Sequence, residues 1–151
     1  MKKIKLSFKR ISEDFTDIPL PHYATEGSSG MDIRATSDQQ IIIESGKVVL
    51  VPTNVAVEIP AGYEIQVRPR SGLAAKHGIG LLNSPGTIDA DYRGEIKIII
   101  FNFSDKDFTV NSGDRIAQLV LAEVIIAEID EVATLGSTVR GDGGFGHTGK
   151  N

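Results

Sequence analysis

The 151-residue chain contains no cysteine. Disulfides and thiolate metal sites are therefore excluded, and the lack of disulfides agrees with a reducing, cytoplasmic setting. Long apolar runs are also missing. The opening stretch "MKKIKLSFKRISEDF" is basic, but its apolar residues alternate with polar ones. It lacks the unbroken apolar run of a secretory signal, and no segment is long and apolar enough to span a membrane. Positive charge is not in excess either, since formal net charge is −4. Bulk nucleic-acid binding needs a basic face, so neither nucleic acid nor a membrane is expected as a partner. His22, His77 and His147 are far apart and form no HxH or HExxH pattern. No metal cage built by the protein is expected, so a participating metal must arrive with the ligand. There is no internal repeat, and the length suits one domain.

What is present has period two. "KIKLSF" puts Ile4, Leu6 and Phe8 on one face, "NVAVEI" Val55, Val57 and Ile59, and "YEIQVR" Tyr63, Ile65 and Val67. "EIKIIIFNF" adds Ile96, Ile98 and Ile100. "RIAQLVLAEVII" fits helix or strand, but its β-branched residues and the preceding "NSGD" turn favour a strand. Many short strands broken by Gly, Pro and Ser turns predict an all-β sandwich or barrel. One short helix is expected in "SGLAAKHG", opened by Ser71 and closed by Gly78. From Leu135 onward apolar residues nearly vanish and glycine dominates. The expected organisation is a core over 1–134 and a flexible arm over 135–151.

Several segments could carry chemistry. Five of the seven arginines (Arg68, Arg70, Arg93, Arg115 and Arg140) lie in or beside Gly/Ser/Asp stretches. The planar guanidinium suits phosphate oxygens, although single arginines in turns are ordinary surface residues. "VRPRSGLAAKHG" sets Arg70, Ser71 and Gly72 at a strand-to-helix joint, which is an anion site or merely a serine-capped helix. "NSPGTIDADYRGE" carries Asp89 and Asp91 two apart. On an extended segment they would point the same way and could hold a water or a metal-bound water; a polar hairpin is the plainer reading. Gln118 interrupts an apolar strand, where its amide needs partners from backbone or ligand. Asp32 follows a Gly/Ser bend, where it could cap a turn or serve a ligand.

Together, "GSSGMDIRA", "RPRSGLAAKHG", "GTIDADYRGE", "GDRIAQLV" and "RGDGGFGHTG" resemble, in order and spacing, the five motifs of the homotrimeric dUTPase family (deoxyuridine triphosphate nucleotidohydrolases). The resemblance covers about residues 20–150. It implies a jelly-roll-like, distorted β-barrel with one short helix and a flexible C-terminal arm. It implies hydrolysis of dUTP to dUMP and pyrophosphate by water attack on the α-phosphorus. That reaction keeps uracil out of DNA and supplies dUMP for thymidylate synthesis. Asp89 matches the acid that orients and deprotonates the water. Asn83, Thr87, Ile88 and Lys97 match the hairpin that receives uracil, and Tyr92 the ring against the deoxyribose. Arg70, Ser71, Gly72 and Gln118 match phosphate contacts. Asp32 matches an acid that acts on Mg²⁺ through water, the ion being held mainly by the triphosphate. In the arm, Arg140 matches a phosphate contact and Phe145 a ring that stacks on uracil, with Gly146 and Thr148 beside it. The implied assembly is a homotrimer in which three chains share each active site.

One position departs from the family pattern. His147 stands where serine is common, which predicts reduced or pH-sensitive closure of the arm. The related dCTP deaminases carry a catalytic glutamate five residues after the glycine matching Gly94; here that position is Ile99. A binding or regulatory protein that keeps the pocket without turnover, or a structural β-module, would share the fold. The tail also fits GxGxxG and P-loop spacings, but both need a strand before and a helix after, and Asn151 stands where a P-loop has Ser or Thr.

Overall fold

In the computed structural model, residues 2–144 are described. They form β1 (Ser7–Arg10), β2 (His22–Tyr23), β3 (Met31–Arg34), β4 (Ile41–Ile43), β5 (Val48–Val51), β6 (Val55–Glu58) and β7 (Tyr63–Arg68). After these come α1 (Ser71–His77), β8 (Ile79–Leu81), β9 (Gly86–Ile88), β10 (Ile98–Asn102), β11 (Phe108–Val110) and β12 (Arg115–Glu123). All the pairings are antiparallel, and the largest sheet has the order β2-β3-β12-β7-β9. The remaining strands pair as β5-β10-β8, β4-β11 and β1-β6. This is the all-β, jelly-roll-like architecture expected, and "RIAQLVLAE" is a strand.

Alternation explains the core. Ile65 and Val67 of β7, Ile98 and Ile100 of β10, and Leu119 of β12 all point inward and are buried. Side chains two apart share a face, so each strand gives one row to the core and one to the surface. Near the N-terminus the alternation of Ile4, Leu6 and Phe8 holds, but regular pairing covers only Ser7–Arg10. These three residues are half-buried and line an apolar groove that also includes Met31 and Leu121. The helix runs as expected and ends at Gly78, but its N-cap is Arg70 without a side-chain cap bond. Ser71 is therefore the first helical residue rather than the cap.

Among the described residues, regular structure ends at Glu123, whose Oε1 accepts a 2.8 Å hydrogen bond from Lys2 Nζ. That bond holds the Lys2 ammonium above its ordinary range and the Glu123 carboxyl below its own. Its contribution is present at neutral pH and fades as pH falls through the lowered Glu123 value. Both groups are exposed, so the effect on stability is small. Beyond it, Ile125, Ile126, Ile129 and Leu135 are each more than four-fifths exposed.

A buried amide ties two strand ends together. Asn102 is fully buried, and its Nδ2 donates to the carbonyls of Ile43 (2.8 Å) and Lys106 (2.7 Å). Its Oδ1 accepts from Ser104 N at 2.9 Å and from Ser104 Oγ at 2.7 Å. Asn102→Ala would take this partner from the Ile43 carbonyl and the Ser104 N–H, while the Lys106 carbonyl keeps Ser104 Oγ. The expected loss is about 3 kcal/mol, because each stranded buried group costs roughly 1–3 kcal/mol. For a domain of this size that lowers Tm by roughly 6–12 °C, measurable by calorimetry.

Candidate active site

Two clefts carry the residues singled out by the sequence. The first, of about 420 Å³, opens over β3, β12 and the end of β7. Asp32, Arg70, Arg115 and Gln118 line it. Met31 and Ile33 enter the core, so Asp32 between them takes the opposite face. Its register partner on β12 is Gln118, which also faces Arg68 of β7. Asp32 is 8% exposed, too buried for an unpaired charge, and two cations meet it. Arg70 Nε lies 3.1 Å from Oδ1 and Arg115 Nη1 3.0 Å from Oδ2. Arg70 also donates to the Arg115 carbonyl at 3.1 Å. One carboxylate thus aligns two guanidinium groups on one wall and leaves a local surplus of positive charge.

Arg115 reaches this wall because of a break in strand register. Strict alternation would put it on the core face with Ala117 and Leu119. The ladder slips between Arg115 and Ala117, and both Ile116 and Ala117 are buried. The bulge re-aims Arg115 toward Asp32. The sequence reading counted Arg115 among five arginines suited to phosphate but gave it no individual contact. A bulge leaves no mark in a period-two pattern, so only the neighbouring "NSGD" hinted at it.

Gln118 makes no side-chain hydrogen bond among the described residues, so its amide remains open to the cleft. It lies so close to Gly30 that a Cβ there would sit 2.6 Å from Gln118 Oε1. A side chain at 30 would displace that amide from its present position. Ser71 and Gly72, next along the chain from Arg70, are exposed and do not line this cleft; their first-turn N–H groups are ones the helix itself cannot satisfy.

The second cleft, of about 470 Å³, is lined by Thr87, Ile88, Asp89, Tyr92 and Lys97, with Leu50 and Ile99 as an apolar wall. Asp89 follows β9 directly and is exposed. Its carboxylate has no hydrogen-bond partner among the described residues and is open to a water or ligand. Asp89 and Asp91 lie in a turn, the plainer of the two readings, and not on an extended segment. Tyr92 N donates to Asp89 O at 3.1 Å, closing a turn that separates the two acids. Tyr92 Oη donates to the Glu95 carbonyl at 3.0 Å, and its ring fills the space a Cβ on Gly94 would occupy. Asn83 lies outside this cleft, its amide against Gly86.

Among the described residues, none lines both clefts. Arg140 lines neither, and its Nε donates to Gly143 O within its own turn at 2.7 Å. Phe145, Gly146, His147 and Thr148 lie outside the described residues. Among the described residues no group of three or more His, Cys, Asp or Glu could hold a metal, and no helix is long and apolar enough to cross a membrane.

The dUTPase family profile matches residues 16–149. This chain belongs to the dUTPase family. A deoxyuridine 5'-triphosphate nucleotidohydrolase of Fusobacterium nucleatum is 53% identical over 150 residues, covering 99% of this chain and all of that one. The protein of that name from Caldanaerobacter subterraneus is 51% identical over 146 residues, covering 97% of this chain and 98% of the other. Among solved structures, a Staphylococcus bacteriophage 80alpha dUTPase with dUpNHpp superposes with TM-score 0.84 at 26% identity, covering 97% of this chain and 99% of the other. A phage phi11 dUTPase mutant, described as coordinating a structural Mg(II) ion, shares the fold at TM-score 0.77 and 24% identity, covering 89% of this chain and all of that one.

Proposed function

We propose that the protein hydrolyses dUTP to dUMP and pyrophosphate, with Asp89 as the base that orients and deprotonates the attacking water. Family membership supports the reaction. The observation that carries the mechanism is the Asp89 carboxylate, open and unpaired in a cleft that also holds Tyr92 and Lys97. Backbone groups of the 83–88 hairpin receive uracil, and buried mismatched groups would reject cytosine. Tyr92 lies against the deoxyribose. Ile99 in the cleft wall, where a deaminase would carry glutamate, favours hydrolysis over ammonia release.

Arg70, Arg115 and Gln118, with the N–H groups of Ser71 and Gly72, hold the phosphates. Mg²⁺ chelated by the triphosphate would supply charge neutralisation there. The residues fit such an ion: no cage of protein ligands is needed, since Mg²⁺ keeps several waters and binds through substrate phosphates. Each oxygen of Asp32 accepts one arginine and retains a lone pair for a metal-bound water.

The two clefts share no lining residue, which supports a homotrimer in which one chain presents the base and a second holds the phosphates. The exposed Ile125, Ile126 and Ile129 would be covered in that assembly, completing a core that reaches residue 134. The arm, 135–151, would then carry Arg140, Phe145, Gly146 and Thr148 to a third chain's substrate. A cytoplasmic enzyme of dUMP supply, free of nucleic-acid and membrane partners, is the matching setting. Mixing tests the sharing. Asp89→Asn and Arg70→Ala chains should each be nearly inactive alone. Refolded together at equal amounts, about one quarter of sites would combine an intact Asp89 with an intact Arg70, restoring roughly that share of dUTP hydrolysis. If mixing restored nothing, the shared site would be wrong.

A further inference from the structure

We infer that Glu95 is a positioning residue that sets the discrimination between deoxyribose and ribose by anchoring the loop that carries Tyr92. The inference rests on the hydrolase reading above and extends it to a residue with no assigned part. Glu95 lies between β9 and β10, with its side chain 20% exposed. Its Oε1 accepts from two backbone N–H groups, Thr53 at 3.2 Å and Asn54 at 2.9 Å. Thr53 and Asn54 are 4% and 6% exposed, so neither N–H has water as an easy substitute. The other carboxylate oxygen lies 3.5 Å from Lys97 Nζ, in the cleft that holds Asp89.

The 53–54 turn is itself fastened down. Asn54 takes a left-handed conformation (φ 58°). Its side chain accepts from Ser12 N at 2.9 Å and donates to Asp14 O at 2.8 Å. Ile96 N donates to Val55 O at 2.8 Å, just beyond Glu95. Glu95 therefore docks the return arm of the loop on a rigid, buried base. On the opposite side its main-chain carbonyl accepts the Tyr92 hydroxyl. Tyr92 is thus held at three points: the hydroxyl on Glu95, the ring over Gly94, and the backbone N–H on Asp89.

A ring that excludes a 2′-hydroxyl works only if it cannot yield. An exposed loop would give way by the ångström or so that one extra oxygen needs. Loosening the anchor should then admit UTP more than it harms dUTP, because dUTP makes no demand on the ring's resistance. A residue that merely held the fold together would lower Tm and leave the ratio of the two substrates alone.

The test is kcat and KM for dUTP and UTP in the wild type and in Glu95→Gln, Glu95→Ala and Tyr92→Phe. The glutamine keeps an oxygen for both N–H groups, so its dUTP-to-UTP ratio of kcat/KM should stay within about threefold of wild type. The alanine should lower that ratio by about tenfold or more, on the scale that small misplacements produce. Tyr92→Phe, which removes only the hydroxyl anchor, should lower it in the same direction. A Glu95→Ala protein with reduced Tm and an unchanged ratio would overturn the inference. If that variant does not fold, an unchanged ratio in Tyr92→Phe overturns it instead. A wild type that hydrolyses neither nucleotide would bring down the functional reading, and this inference with it.

Discussion

Replacing Asp89 by Asn should reduce kcat for dUTP by about 10²–10⁴-fold, the usual contribution of a positioned general base. The amide is nearly the same size, so the cleft formed by Thr87, Ile88 and Tyr92 keeps its shape. It can still orient a water but cannot take its proton. Asp89 has no hydrogen-bonded partner among the described residues, and it is exposed, so the substitution strands nothing and Tm should hold. Binding of a non-hydrolysable dUTP analogue should stay within a few-fold of wild type, read by calorimetry. Loss of binding equal to the loss of kcat would place Asp89 in recognition rather than catalysis. Wild-type turnover in the variant would remove it from both.

Removal of residues 136–151 should cost kcat/KM about 10²-fold or more and leave the fold intact. The segment 136–142 is exposed throughout, so its loss uncovers no core. Tm should move by no more than about 2 °C, the range of surface changes in a domain of this size. The activity loss has two parts. In the proposed closed state, stacking by Phe145 would contribute roughly 1–3 kcal/mol on the scale of base stacking in single-stranded sites, and Arg140 would add a charge-assisted phosphate contact. Closure by the arm would also exclude water from the reacting centre. Glycine suits such an arm because it lets backbone N–H groups approach phosphate oxygens closely. Circular dichroism, calorimetry and dUTP kinetics on the truncated chain separate the two effects. A truncated chain with full activity would remove the arm from the mechanism.

Much of the fold was legible because burial on one face forces period two. Ile65, Val67, Ile98 and Ile100 were marked by alternation, and all are buried. The candidate site was legible differently. Gln118 stood out as an amide in an apolar strand, while Asp32, Arg70 and Asp89 also fitted ordinary turns and took their roles from the family resemblance. What remained hidden depends on departures from regularity. Arg115 joins Asp32 through a bulge, and a bulge moves every residue before it to the other face without altering composition. The spacing of Asp89 and Asp91 left a pair and a turn both open, and the Asp89–Tyr92 hydrogen bond decides for the turn. Glu95 was passed over because its partners, the N–H groups of Thr53 and Asn54, are 42 and 41 residues away and belong to the backbone. Side-chain identity carries no record of such a bond.

The central claim is that this site hydrolyses dUTP in preference to its near relatives. The direct measurement is pyrophosphate release from dUTP, dTTP, dCTP and UTP with Mg²⁺ at equal concentrations. The expected result is rapid release from dUTP, with kcat/KM for each of the others lower by at least about 10²-fold, as a site that leaves buried groups unpaired against the wrong ligand should give. No turnover of dUTP, or turnover of dCTP with release of ammonia, would contradict the account.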